Sequence, residues 1–226
     1  LEFTGSTNGF GEITVSTTSS DHPLIATSKI SPSYSVNRYW TIQNNNVTGF
    51  TACAATFTFS ESDKDSNSEH DYFIVDKYQP SAWSTPATGS RTATTIQATG
   101  LTTFGDFQAG NYLSEFRSSS SGNWNEASNW EALVGSTWRP SPSVPDLSTV
   151  SATIISPNSV TNTTPTTLGK LTVDAGATLI LSADLSISDG TGTDITINGT
   201  LDFGGTNIVS GAGSFALAST GSISIG

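Results

Sequence analysis

Charge is scarce in this chain, and positive charge scarcest of all: only 12% of the 226 residues are charged, with 8 Lys+Arg against 19 Asp+Glu and a formal net charge of -11. Such a surface repels phosphate backbones and anionic headgroups, which disfavours nucleic-acid and membrane-surface partners. No run approaches the roughly 18 apolar residues of a spanning helix, so no membrane insertion is expected. The N-terminus also lacks the basic-then-apolar layout of a signal peptide. On this reading the chain is either mature and soluble or cut from a longer one. A single cysteine, Cys53, excludes an internal disulfide. It falls in step with Ala55, Phe57 and Phe59 on one face of an alternating run, which suits a buried structural thiol.

Catalytic motifs are scarce too. The two histidines, His22 and His70, lie far apart. The sequence holds no Gly-x-Ser-x-Gly elbow, His-Glu-x-x-His zinc pair or phosphate-binding glycine loop. A carboxylate pair for glycoside hydrolysis is assembled by the fold and leaves no such trace. The expectation is a protein that is not an enzyme.

What the chain has in plenty is the small hydroxyl: 36 serines and 35 threonines occupy 71 of 226 positions. Long surface helices need Ala, Leu, Glu, Lys and Arg, whereas Thr, Val, Ile and Phe in short runs punctuated by glycine suit half-buried strands. The fold class is therefore all-β. Over 1–117 the alternating runs 12–17, 38–43, 51–60, 72–78, 94–99 and 106–109 are spaced by Asn, Gly, Ser and Pro, the cue for an immunoglobulin-like β-sandwich. Trp40, Phe57, Phe59, Phe73 and Val75 would form its core.

The four serines 118–121 carry no apolar periodicity and read as a flexible boundary. The segment 118–150 then gathers Trp124, Trp130 and Trp138 with Pro140, Pro142 and Pro145. Such a cluster forms either a carbohydrate platform or a plug for the end of a core. The plug is favoured because the rest of the chain, 151–226, repeats itself. Leu171-Thr172-Val173, Gly176-Ala177-Thr178-Leu179-Ile180-Leu181 and Leu185-Ser186-Ile187 return as Ile195-Thr196-Ile197, Gly199-Thr200-Leu201-Asp202-Phe203 and Asn207-Ile208-Val209. A third pass holds Phe215-Ala216-Leu217 and Gly221-Ser222-Ile223-Ser224-Ile225. A repeat of about 22 residues with three short strands is the pattern of a parallel β-helix. Its glycines are expected to supply tight corners, including positive-φ positions. The three tryptophans would be a structural cap at its start. At Gly226 the repeat stops mid-rung, so the parent protein is expected to continue or a partner to cover that end.

Three runs carry a resemblance: Asp21-His22-Pro23 with Ala26-Thr27-Ser28; Ser35-Val36-Asn37-Arg38-Tyr39-Trp40-Thr41-Ile42; and Ala98-Thr99-Gly100-Leu101-Thr102-Thr103-Phe104-Gly105-Asp106-Phe107. They resemble a domain of very large secreted surface proteins exported by the type IX route in gliding and biofilm-forming bacteria. Gly122-Asn123-Trp124-Asn125-Glu126-Ala127-Ser128-Asn129-Trp130, with Pro145-Asp146 and the Gly-Ala-Thr-Leu rungs, is similar to their β-helical modules. The resemblance implies a secreted, extracellular or cell-surface adhesin-like segment. The C-terminal sorting domain of that route is not in this sequence, so export by it is an expectation about the parent protein.

Two candidate sites remain. Asp63, Asp65, Asn67, Glu69 and Asp71 alternate through a loop, as oxygen ligands do in calcium loops. An EF-hand loop starting at Asp63 would, however, need Gly and Glu where Ser68 and Ile74 stand. Calcium is thus a possible cofactor, set against a solvated acidic hairpin tip. Trp83, with Tyr78 near it, could stack on a sugar ring or pack across the sandwich edge. The expected function is a rigid structural or adhesive module. Its partners would be neighbouring domains, copies of itself, glycans or cell surfaces. The alternatives are a subunit of a head-to-tail extracellular filament and a carbohydrate-binding accessory module of a polysaccharide-degrading enzyme.

Overall fold

A computed structural model describes residues 1–7, 10–188, 190–211 and 213–225, with the side chain of Ser148 left out. Gly226, where the sequence pattern breaks off, lies outside the described residues. The chain divides into two compact units, Leu1–Tyr112 and Leu113–Gly226.

In the first unit the strands are β1 (Glu2–Gly5), β2 (Glu12–Thr18), β3 (Ile30–Asn45), β4 (Phe50–Thr58), β5 (Phe73–Tyr78), β6 (Trp83–Ser84), β7 (Ala87–Thr92), β8 (Thr95–Leu101) and β9 (Asp106–Tyr112). They form two antiparallel sheets, ordered β1-β4-β8-β7 and β2-β3-β9-β5-β6. Alternation explains the core between them. Cys53, Ala55 and Phe57 point inward from β4, Trp40 and Ile42 from β3, Phe73 and Val75 from β5, and Phe107 from β9. Trp40 meets Phe57 at 5.0 Å and Phe57 meets Phe107 at 4.9 Å between ring centroids. Burial pushes the Cys53 thiol above its usual range.

β3 begins eight residues before the expected run 38–43, because its first half is bulged against β9. Alternation cannot report a bulged segment, since each extra residue flips the side chains that follow. The bulge also dictates Gly110. A Cβ there would sit 2.6 Å from the Ile30 side chain and 2.8 Å from the Ser35 backbone.

The second unit is a β-solenoid of about three turns. Its strands are β10 (Glu115–Ser118), β11 (Gly122–Asn123), β12 (Trp130–Val134), β13 (Thr137–Pro140), β14 (Leu147–Ile154), β15 (Ser159–Asn162), β16 (Thr166–Val173), β17 (Thr178–Leu181), β18 (Leu185–Ile187), β19 (Ile195–Ile197), β20 (Thr200–Phe203), β21 (Val209–Gly211), β22 (Phe215–Leu217) and β23 (Ser222–Ile225). Parallel pairing stacks β11-β15-β17-β20-β23 on one face. On the other, β10-β14-β16 continues as the shorter pairs β18-β21 and β19-β22. Like residues therefore stand over one another. Val160, Leu179, Leu201 and Ile223 form one inward row, and Ala152, Leu171, Ile195 and Phe215 another.

The divide falls at Tyr112/Leu113, ahead of the boundary expected at 117/118, because β10 is the first parallel strand of the solenoid. The serine tract is accordingly a set of pegs rather than a flexible linker. Ser118 is fully buried and its Oγ accepts Ile155 N–H at 3.0 Å, while Ser121 Oγ accepts Ser159 N–H at 2.9 Å. The corner glycines serve in two different ways. Gly176 has a φ of 82°, but Gly199 and Gly221 are demanded by crowding. A Cβ on Gly199 would run into the carbonyl oxygens of Asp174 and Ala177, and one on Gly221 into that of Ile197.

Candidate functional site

The acidic loop does not converge on a common centre. Asp63 turns to Arg38, whose Nε donates to it at 3.1 Å, and also accepts Ser60 N–H at 2.9 Å. The Arg38 guanidinium, chiefly, holds this carboxyl below the usual carboxylate range. Asp65 turns the other way, accepting Ser35 N–H and Asn37 Nδ2–H, both at 2.8 Å. Asn67 occupies a left-handed turn at φ 67°. The Glu69 backbone is clamped by both ends of the Asn111 amide, and Asp71 is exposed beside His70 at 3.3 Å. Among the described residues no group of three or more His, Cys, Asp or Glu side chains is placed to hold a metal ion.

Asp65 does meet an acidic partner that its own loop does not contain. The buried Ser35 hydroxyl lies 2.7 Å from Asp21 Oδ1 and 3.3 Å from Asp65 Oδ2. The fully buried Gln108 amide reaches Asp21 at 3.3 Å and Val36 O at 2.6 Å, and its Oε1 accepts His22 N–H. Burial, first, and the nearby Asp65 charge raise the Asp21 carboxyl above its ordinary range, against the opposing pull of the Ser35 hydroxyl.

His22 is buried inside an aromatic nest, 5.2 Å from Tyr39, 5.2 Å from Tyr78 and 4.9 Å from Trp83. Its Nδ1 accepts Leu24 N–H at 3.1 Å, which leaves the ring hydrogen on Nε2, facing Asp106 Oδ2 at 3.2 Å. Thr41 Oγ1 donates to the other Asp106 oxygen at 2.6 Å. Thr41, Asp106 and His22 contain the residue types of a nucleophile triad in the wrong order. The hydroxyl meets the carboxylate, and both imidazole nitrogens are already engaged. Trp83 is half-buried, and its indole N–H is shared between Leu24 O at 3.2 Å and Thr27 Oγ1 at 3.0 Å. Of the two readings of Trp83 and Tyr78, the structure places both rings against His22.

In the second unit Trp124 and Trp130 are buried ring against ring, with centroids 4.6 Å apart. Neither indole N–H is left unpaired: Trp124 donates to Pro145 O at 3.0 Å and Trp130 to Trp124 O at 2.8 Å. Trp138 lies outside this pair, half-buried on the outer face of the sheet. There the Arg117 guanidinium stacks on it at 4.6 Å and is itself held by Glu131 at 2.7 Å. Arg117, Trp138, Glu115, Ser151 and Thr153 line a groove of about 240 Å³. Sequence reading missed this groove, because Arg117 and Trp138 are brought together only by the β12–β13 hairpin folding against β10. Compared with family models, with curated proteins and with solved structures, the chain matches none.

Proposed function

We propose that this chain is a non-catalytic, extracellular structural and adhesive module of a large bacterial surface protein. The observation that carries the reading is the row Val160, Leu179, Leu201, Ile223, in which each rung is stacked on its neighbours through apolar side chains and parallel backbone pairing. Such a stack resists bending and presents hydroxyls outward, Ser159, Thr178, Thr200 and Ser222 forming one outer column. The acidic, hydroxyl-rich surface would keep the module soluble, and repetition in a parent protein would supply avidity. The sequence resemblance to secreted adhesins points the same way. Antibodies raised against the chain test it on cells of the source organism. The reading expects labelling of intact cells that protease treatment removes, and label seen only after permeabilisation would overturn it.

A second reading, saccharide binding, is favoured by the groove at Arg117 and Trp138. Salt-bridged to Glu131, the stacked guanidinium is pre-organised and keeps N–H donors to spare, and the hydroxyls of Ser151 and Thr153 flank it. A glycan array read with Trp138→Ala and Trp83→Ala separates the sites. The groove reading expects binding that Trp138→Ala abolishes and Trp83→Ala spares.

A further inference from the structure

The polar side chains of the Arg117 groove are largely uncommitted. The indole N–H groups of Trp83, Trp124 and Trp130 all donate to protein oxygens, whereas that of Trp138 has no acceptor among the described residues. Neither the hydroxyls of Ser151 and Thr153 nor the Glu115 carboxylate has a hydrogen-bond partner among those residues. Arg117 places Nε and Nη2 on one oxygen of Glu131, both at 2.7 Å, which leaves Nη1 and the other Glu131 oxygen uncommitted. A half-buried groove with donors and acceptors in reserve gains a hydrogen bond for each one that a ligand satisfies. The groove also continues along the sheet. Parallel register carries Arg117 onto Thr153, Thr153 onto Thr172 and Thr172 onto Thr196, a column of half-buried hydroxyls with about 4.8 Å between neighbouring strands. Neither Thr172 nor Thr196 makes a side-chain hydrogen bond among the described residues, while on the other face Thr200 and Ser222 bond each other at 3.0 Å.

We infer that the groove and the threonine column together hold a neutral, unbranched polysaccharide laid across the strands, gripped at Trp138 and Arg117 and followed along Thr153, Thr172 and Thr196. The inference rests on the saccharide reading of the groove and adds the charge and the direction of the ligand. Charge selects the class. Glu115 and Glu131 outnumber Arg117 here, Arg117 is already neutralised by Glu131, and the whole chain carries -11. A carboxylated or sulfated chain would meet repulsion with no free cation in the groove to offset it. Lys170, stacked on Ser151 in the adjoining column, lies close enough to Asp194 to stabilise that carboxylate instead. Sugar hydroxyls both donate and accept, which suits the mixture of N–H donors, hydroxyls and carboxylate oxygens left uncommitted. The straightness of the column selects an unbranched chain, because each further sugar can reach a further threonine only if the chain keeps to one line.

Affinity electrophoresis of the whole chain tests it with polysaccharides paired by charge: dextran with dextran sulfate, linear mannan with mannuronate-rich alginate, and linear galactan with polygalacturonate, each read against Trp138→Ala. The expected result is retardation by the neutral member of at least one pair, lost in Trp138→Ala, with at least about tenfold weaker binding of its acidic counterpart. Oligosaccharides of the retained polymer should bind more tightly as they lengthen. Thr172→Val suits a strand equally well and should remove that gain for long oligomers while leaving the shortest unchanged. Glu115→Gln, at an exposed position, should narrow the gap between paired polymers. Unchanged far-ultraviolet circular dichroism spectra would verify that both variants fold. Retardation by no polymer, or retardation that Trp138→Ala leaves intact, overturns the saccharide reading of the groove together with the inference. Preference for the acidic members, or an affinity that does not depend on length, overturns the inference alone and leaves the groove a saccharide site.

Discussion

Asp194 Oδ2 accepts the backbone N–H of Ser214 at 2.7 Å, and Ser214 is the residue stacked on it one rung later. The same stitch recurs where Asp184 Oδ1 accepts Ile208 N–H at 3.0 Å and Asp146 Oδ1 accepts Thr167 N–H at 2.7 Å. In each case a carboxylate just ahead of a strand ties down an N–H of the next rung at or beside the start of the strand above. The acidity of the solenoid is thus partly structural. At Asp194 the Ser214 N–H, chiefly, holds the carboxyl below the usual range, with Gly190 N–H and the Ser214 hydroxyl assisting.

The Asp194 stitch makes the solenoid acid-sensitive. A carboxyl whose folded pKa is depressed contributes stability that is present above its unfolded value and lost as pH falls toward the folded one. The thermal midpoint of the second unit should therefore drop as pH is lowered from 6 to 3. Asp194→Ala should lower the midpoint at neutral pH by a few degrees and flatten that dependence. Calorimetry of wild type and variant across the series checks both.

Asp21 carries the opposite sign. Its raised pKa means that the contribution of its protonated form is full below the unfolded carboxylate value and is lost as pH rises through the folded one. Asp21→Asn keeps an oxygen for Ser35 and Gln108 and removes the charge facing Asp65. It should raise the midpoint of the sandwich at neutral pH by roughly 2 °C, the scale of a change below 1 kcal/mol in a domain of this size. A lower midpoint would show that the charge itself is needed.

Trp124 and Trp130 should matter more than any other pair in the second unit. Trp130→Ala removes a buried indole and leaves the Trp124 carbonyl without its donor. Large-to-small changes of this kind cost about 3–5 kcal/mol. Denaturant unfolding should show that loss in the solenoid transition alone, with the sandwich transition unmoved.

The corner glycines supply a sharper contrast. Gly199→Ala drives a methyl group into two backbone carbonyls of the preceding rung and should cost about 1–3 kcal/mol or more. Gly176 already takes a positive φ, and its Cβ would meet the Ser156 side chain, which can rotate away. Gly176→Asn, a residue that tolerates that backbone, should be much the milder change. Equal losses at the two positions would contradict the assignment of Gly199 to crowding.

Legibility in the sequence depended on what strands record locally. Alternation placed Cys53, Ala55, Phe57 and Phe73 in the sandwich core, and the return of Leu179 as Leu201 and Ile223 gave the rung. Where pairing is irregular the pattern fell silent, as in the bulged first half of β3 and in the serines 118–121, whose hydroxyls are used by distant backbone. The sites were less legible still, because Ser35 joins Asp21 to Asp65, and β10 and β13 bring Arg117 to Trp138, only once the sheets have formed. The regular spacing of Asp63, Asp65, Asn67, Glu69 and Asp71 was visible to the eye, but these residues serve different partners.

A stiff stack whose rungs are held by their neighbours should come apart rung by rung when single molecules are pulled from their two ends. The expected trace has one unfolding event for the sandwich and a separate series of steps for the solenoid, each releasing one rung. About 22 residues per rung gives an extension of about 70–80 Å at full stretch. Smooth lengthening of the second unit at low force, with no steps, would contradict a stack of this kind.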